Sequence, residues 1–175
     1  MRKHVDAAVI AADAPAGTEP LVWDEVRQRF EAERWYWLAT AGPGGDPHVR
    51  PVLAVWLGDK IYSTTSPAAR KGHNLEHHAV CSLAARAPAA DIVIEGSTMW
   101  VDDRALLEQV AAAYDRKYSW PVTITSENMF EAPYGAPTAG PPPYRVYQVT
   151  PAAAYGFGTG DNLGVRSTRF RFIYE

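Results

Sequence analysis

The segment Ser63-Thr-Thr-Ser-Pro-Ala-Ala-Arg-Lys71, continuing Gly72-His-Asn-Leu75, carries the strongest chemical signal in the sequence. Ser66 followed by Pro67 predicts a helix start: a capping hydroxyl, then proline at the first helical position. Arg70 and Lys71 then fall near the positive end of the helix dipole, where basic side chains are disfavoured. A bound anion removes that conflict, because first-turn amides, hydroxyls and two basic groups together form a phosphate site. The competing reading is that both side chains simply extend into water. The adjoining hydroxyls of Ser63, Thr64, Thr65 and Ser66 favour the phosphate.

Other candidates carry less. Gly156-Phe-Gly158-Thr-Gly160 has the wrong spacing for a dinucleotide fingerprint and precedes no helical pattern, so it reads as a turn. His73 and His77 are four apart and could share a helix face, but no third ligand completes a metal motif. Surface or ion-pair roles are the expectation for them and for His78, and no metal is expected. Cys81 lies in an apolar run, where an inert buried thiol is the better reading than a nucleophile. No Gly-x-Ser-x-Gly elbow or His-Glu-x-x-His pattern is present, so self-sufficient hydrolytic chemistry has no carrier.

The elements that must position these residues are mostly strands. Residues 20–34 place Leu21, Trp23, Val26 and Phe30 at helical spacing, with Thr18 as a cap. The run Trp35–Ala41 suits a strand, and Gly42-Pro-Gly-Gly-Asp-Pro47 supplies turn chemistry. A second strand is expected over His48–Leu57 and a third over Lys60–Thr65. In the second, alternation puts Val49, Leu53, Val55 and Leu57 in the core, with His48, Arg50, Val52, Ala54 and Trp56 opposite. Pro51 cannot donate to a ladder, which marks an edge or a bulge whose freed backbone could face a ligand; a plain edge strand is the alternative. Further strands are expected at Ala79–Leu83, Asp91–Val101 and Tyr144–Thr150. Asp102-Asp103 opens a helix with the core stripe Leu106, Leu107, Val110 and Tyr114. Between Glu131 and Pro143, seven of thirteen residues are Pro or Gly, so residues 120–143 read as a long loop. Trp120, Phe130 and Tyr134 make it a candidate substrate lid. The chain closes on Arg166-Ser-Thr-Arg-Phe-Arg-Phe172, again strand-like. The fold class expected is mainly β, an antiparallel barrel with peripheral helices. Residues 1–17 are expected as a flexible arm and residues 18–175 as a single domain.

Composition bounds the rest. The 175 residues carry 17 basic and 20 acidic groups, a net charge of −3, which excludes function through a broad basic surface on nucleic acid or membranes. Apolar runs such as Val52–Leu57 fall far short of the ~20 residues that span a bilayer. A single cysteine forms no internal disulfide and is compatible with a cytoplasmic setting. Six Trp, nine Tyr and five Phe suggest contact with a flat ligand or a partner subunit.

Several of these motifs occur in a telling order. Trp37-Leu-Ala-Thr40, the Gly-rich turn, Pro47-His-Val-Arg-Pro51, Ile61-Tyr-Ser-Thr64, Ala69-Arg-Lys-Gly-His-Asn-Leu75 and Ile94-Glu-Gly96 follow one another. The pattern resembles the pyridoxamine 5'-phosphate oxidase-like split β-barrel superfamily, especially its flavin- and deazaflavin-dependent oxidoreductase branch. The resemblance covers residues 20–119, and the terminal Arg166–Phe172 segment looks like that branch's C-terminus. It implies a split β-barrel and a homodimer with cofactor sites at the interface, holding FMN or the deazaflavin F420. Arg50, Pro51 and Val52 would line the ring with their backbone. Ser63, Thr64, Thr65 and Ser66 would lead to the phosphate, and Arg70 and Lys71 would bind it. Arg169 and Phe170 would approach from the other subunit, Phe170 standing where related sequences often have Trp. The Arg-Leu-x-Pro ending of authentic pyridoxamine phosphate oxidases is missing, which argues against vitamin B6 synthesis.

The leading expectation is hydride transfer between the bound F420 or FMN and a small conjugated substrate, with Tyr62, His48 or solvent as proton source. The cofactor would do the difficult chemistry, which explains why no catalytic dyad is legible. Two alternatives are a non-catalytic module that sequesters a flavin, F420 or haem, and a cofactor-free interaction domain.

Overall fold

The computed structural model describes residues 3–135, 140–159 and 166–175. Strand makes up 45% and helix 21%, so the expected mainly β class is what forms. The chain divides into two compact units, each built from several segments.

The first unit comprises residues 1–33, 83–95 and 151–175. It begins with β1 (Lys3–Val9), where composition suggested a flexible arm. These residues instead pair antiparallel with β11 (Thr168–Tyr174) along the whole strand, from Lys3 opposite Tyr174 to Val9 opposite Thr168. An otherwise open edge of backbone donors and acceptors supplies the order that the sequence did not advertise. Helix α1 (Trp23–Ala32) buries Trp23, Val26 and Phe30, as its periodicity predicts. Its N-cap is Val22 rather than Thr18, whose hydroxyl donates to the Pro15 carbonyl in a preceding turn. The long strand β10 (Arg145–Gly158) continues through Gly156 and Gly158, so the expected turn there is a strand. A Cβ on Gly156 would lie 3.0 Å from Leu21 Cδ1, and the bare backbone is what admits that side chain. Gly160 lies outside the described residues.

The second unit comprises residues 34–82 and 96–150. Strand β2 (Tyr36–Ala41) pairs with β3 (Pro47–Val52) across the Gly-rich turn, which closes through Gly42 N donating to Asp46 O at 2.8 Å. Gly45 occupies the left-handed region there (φ +86°). Strand β4 (Ala54–Leu57) pairs with β5 (Lys60–Thr65), and β5 pairs with Arg145–Val149 of β10. Helix α2 (Arg70–His77) follows β5. Strands β6 (Val80–Ala87) and β7 (Ala90–Trp100), like β10, have segments in both units. Strand β3 ends the sheet order at β6-β2-β3, the edge position that Pro51 signalled.

Helix α3 (Arg104–Tyr118) is capped by Asp103, whose carboxylate accepts from Leu106 N at 2.7 Å. Its Leu107, Val110, Ala113 and Tyr114 join a buried cluster with Leu53, Val55, Tyr62 and Val146. Trp120 (2% exposed) and Phe130 (0%) belong to the same cluster and are core residues, not parts of a lid. The Tyr114 ring packs edge-on against both, at 5.3 and 6.5 Å. Phe130 sits in a short hairpin of β8 (Thr123–Ile124) and β9 (Phe130–Glu131), which replaces part of the expected loop. Among the described residues, no helix is long and apolar enough to cross a membrane.

Candidate anion site at the start of helix α2

Edge strand β3 presents Arg50, Pro51 and Val52, and the chain then breaks at Leu53 before β4 begins. One continuous strand over residues 48–57 is the expectation; the structure divides it at Leu53, with Leu53 and Val55 buried as expected and the alternation before the break opposite to that expected at His48, Val49 and Val52. His48 and Val52 are buried at 7% and 2% exposure, whereas Val49 is 45% exposed. Backbone groups freed at a break need partners. Here the Leu53 carbonyl accepts from Ser63 Oγ at 2.8 Å and from the Tyr114 hydroxyl at 3.1 Å. The Ala54 carbonyl accepts from the Tyr118 hydroxyl at 2.8 Å and from Lys117 Nζ at 3.2 Å. Ala54 N donates back to the Tyr118 oxygen at 3.2 Å. The last turn of α3 therefore clamps the end of the strand that carries Arg50–Val52. Sequence reasoning missed this clamp, because the stripe on α3 signals burial but not where its phenols point.

Across β5 the hydroxyl residues are buried: Ser63 and Thr65 completely, Thr64 and Ser66 nearly so. Ser63 and Thr65 donate to the carbonyls of Leu53 and Ser66, so these two hydroxyls also build the scaffold. Ser66 and Pro67 begin a turn rather than the helix, closed by Ala69 N donating to Ser66 O at 3.0 Å. Helix α2 starts at Arg70, and its N-cap, Ala69, makes no side-chain capping bond. This shift places Arg70 and Lys71 at the first two helical positions, where amides lack intrahelical acceptors. Gly72 lets the helix lie against that turn; a Cβ there would be 3.0 Å from Ser66 O. Gly140 approaches from the far side, where a Cβ would be 3.0 Å from Ser66 Cβ.

Electrostatics join the two elements. Lys71 is only 2% exposed, and burial, then the Arg50 charge, lowers its ammonium pKa from 10.5 to about 8. His48 is held below its ordinary value by burial and then by Arg50, Arg70 and Lys71. Neither residues 47–57 nor residues 60–75 contain an Asp or Glu, and the first turn of α2 has no acidic residue. Two elements thus bring three permanent or near-permanent cations and a histidine to one place. Burial pushes the Cys81 thiol up to about 12, in keeping with an inert thiol. Burial also raises Tyr62, whose hydroxyl donates to Gln148 Oε1 at 3.1 Å.

Arg169 and Phe170 belong to the other unit, on β11. Phe170 is fully buried, its ring 5.2 Å from that of Trp23. It therefore serves its own unit's core, and the expected role as a stacking face for a ring is corrected accordingly: the aromatic surface is already covered. Arg169 Nε is buried without a hydrogen-bond partner among the described residues.

Beside the β3–β4 break, Arg34, Trp35, Leu53, Tyr118, Trp120 and Tyr134 line a cavity of about 220 Å³. That is below the ~300 Å³ at which drug-sized pockets begin, and suits a small guest.

A mainly antiparallel sheet with three helices and a basic, hydroxyl-rich strand-to-helix turn defines a split-barrel protein. The family model for pyridoxamine 5'-phosphate oxidase matches residues 22–157, and the chain belongs to that family. No curated protein matches the sequence. Among solved structures, a conserved hypothetical protein from Mycobacterium tuberculosis is similar at 17% identity and a TM-score of 0.62, over 84% of this chain and 88% of that one. An F420 reductase is similar at 20% identity and a TM-score of 0.53, over 73% and 94%. A heme binding protein from Mycobacterium smegmatis is 19% identical at a TM-score of 0.60, over 83% of this chain but 57% of its own. At these identities the likeness is one of fold.

Proposed function

We propose that the chain is an oxidoreductase that holds F420 or FMN by its phosphate at the start of α2 and acts on a small conjugated substrate. The observation that carries the reading is the burial of Lys71 in the field of Arg50. A buried ammonium beside the exposed Arg50 guanidinium is costly, and a bound anion offsets the cost. Arg70 and Lys71 would hold the phosphate, with Arg50 completing the field. The edge backbone of Arg50–Val52 would lie along the ring, and the cavity at Leu53, Trp35 and Tyr134 would take the substrate. When bound, the flavin or deazaflavin supplies hydride chemistry, while the chain binds, orients and excludes water.

The outer face of the β2–β3 pair favours a homodimer. Trp37 (55% exposed) and Val49 (45%) lie on it, with Ala39 opposite Val49 and Pro51 opposite Trp37. An apolar strip of this kind on a sheet edge suits a second copy of the same chain. Parallel titration of FMN and F420, followed by visible spectra of the bound forms, tests the reading. Absence of affinity for both would sink it. A module that binds a ring without turning it over is the second reading, supported by the likeness to a heme binding protein. Bound cofactor that stays inert toward every reductant and acceptor would favour it.

A further inference from the structure

His48 lies opposite Thr40 in the β2–β3 pair and is only 7% exposed. Its Nδ1 is buried and has no hydrogen-bond partner among the described residues. Buried polar nitrogens are normally satisfied, so an orphan of this kind calls for an explanation. The hydroxyl of Thr40 is already engaged: it donates to the His48 carbonyl at 3.5 Å and accepts from Asn74 Nδ2 at 2.9 Å. The charged groups that bear on the imidazole are Arg50 from its own strand and Arg70 and Lys71 from α2. All three are cations, and the sequence supplies no carboxylate within residues 47–57 or 60–75.

We propose that His48 is a fourth member of the anion site and takes up a proton from solvent when a dianion is held by Arg50, Arg70 and Lys71. The inference rests on the anion-site reading of α2. Without an anion, a protonated imidazole would add a positive charge beside the buried Lys71 and the exposed Arg50 and Arg70, which favours the neutral ring. A dianion cancels part of that field and gives the protonated ring an acceptor. Linkage makes the effect reciprocal: anion binding raises proton affinity at His48 by the same factor that protonation raises anion affinity.

Anion affinity is highest where His48 is protonated even in the free protein. It falls as pH rises between the titration of the free and the occupied states, then levels off. Lys71 adds a second fall at higher pH, beginning where the free ammonium titrates, at about 8.

Sulfate is the suitable probe, since it stays doubly charged throughout the range in which histidine titrates and contributes no titration of its own. Calorimetry in two buffers of different ionisation enthalpy reads affinity and proton uptake together, while NMR follows the His48 ring. Sulfate is expected to raise the His48 titration midpoint and to lose about tenfold in affinity across it. His48→Gln should remove that step and leave the one near 8; His73→Gln, on the exposed side of α2, should change neither. Two results overturn the proposal with the anion site intact. One is a His48 ring whose titration sulfate does not move, although Arg70→Ala weakens sulfate; the other is an unchanged pH step in His48→Gln. Sulfate binding indifferent to Arg70→Ala and Lys71→Ala would instead overturn the anion site, and the His48 proposal with it.

Discussion

Burial, and then the Arg50 guanidinium on β3, depresses the proton affinity of the Lys71 ammonium on α2, 21 positions along the sequence from Arg50. Two residues on separate elements thus share one patch of positive potential.

Removing Arg70 and Lys71 together (Arg70→Ala with Lys71→Ala) should weaken FMN or F420 selectively. A hydrogen bond to a charged group contributes about 1.5–3 kcal/mol, or roughly ten- to a hundredfold in affinity per group. Fluorescence titration should show this loss for FMN and little change for riboflavin, which lacks the phosphate. Equal losses for both ligands would place the phosphate elsewhere.

Lys71 should also make stability depend on pH. Its folded-state pKa of about 8 lies below the model-peptide 10.5, so between the two the unfolded chain binds more protons. Its destabilising contribution is fully present below pH 8 and is relieved as pH rises toward 10.5. The scale is about 3 kcal/mol. Urea unfolding of the wild type and Lys71→Met at neutral and alkaline pH should show the variant ahead at neutral pH and the gap closing upward. A gap independent of pH would refute the assignment.

The phenol clamp at the strand break predicts a stability cost without any change in hydrophobic volume. Tyr118→Phe deletes the donor to Ala54 O and the acceptor for Ala54 N. Leaving buried backbone groups short of partners costs about 1–3 kcal/mol. Denaturant midpoints should fall accordingly, and cofactor affinity with them, because the clamped strand carries Arg50.

Trp120 and Phe130 distinguish core from lid. Either residue changed to Ala should destabilise by about 3–5 kcal/mol, the usual cost of an emptied aromatic core site. Thermal unfolding measures it; a residue of a lid would leave stability unchanged.

Charging the outer β2–β3 face, as in Trp37→Lys with Val49→Lys, should give a monomer by sedimentation equilibrium. Both positions are exposed, so circular dichroism should stay native. A dimer that survives the double change would move the interface elsewhere.

Local sequence determined a good deal by itself. Helix α3 with its Asp103 cap, the strand from Lys60 to Thr65 and the paired cations after Ser66 follow from capping chemistry, periodicity and residue type. Each of these signals is contained within a few neighbouring residues. Tertiary structure decided what neighbours could not. Alternation shows that His48 and Val49 face opposite ways, but only the covering of one face makes His48 the buried one. The break at Leu53 persists because Tyr118, 64 residues away from Ala54, satisfies its backbone. Phe170 was expected beside a ligand ring, yet burial against Trp23, distant in sequence, claimed it for the core. The N-terminal residues gained order only from the open edge of β11. Hydrogen-bond partners and covered faces come from far along the chain, and a run of neighbouring residues carries no record of them.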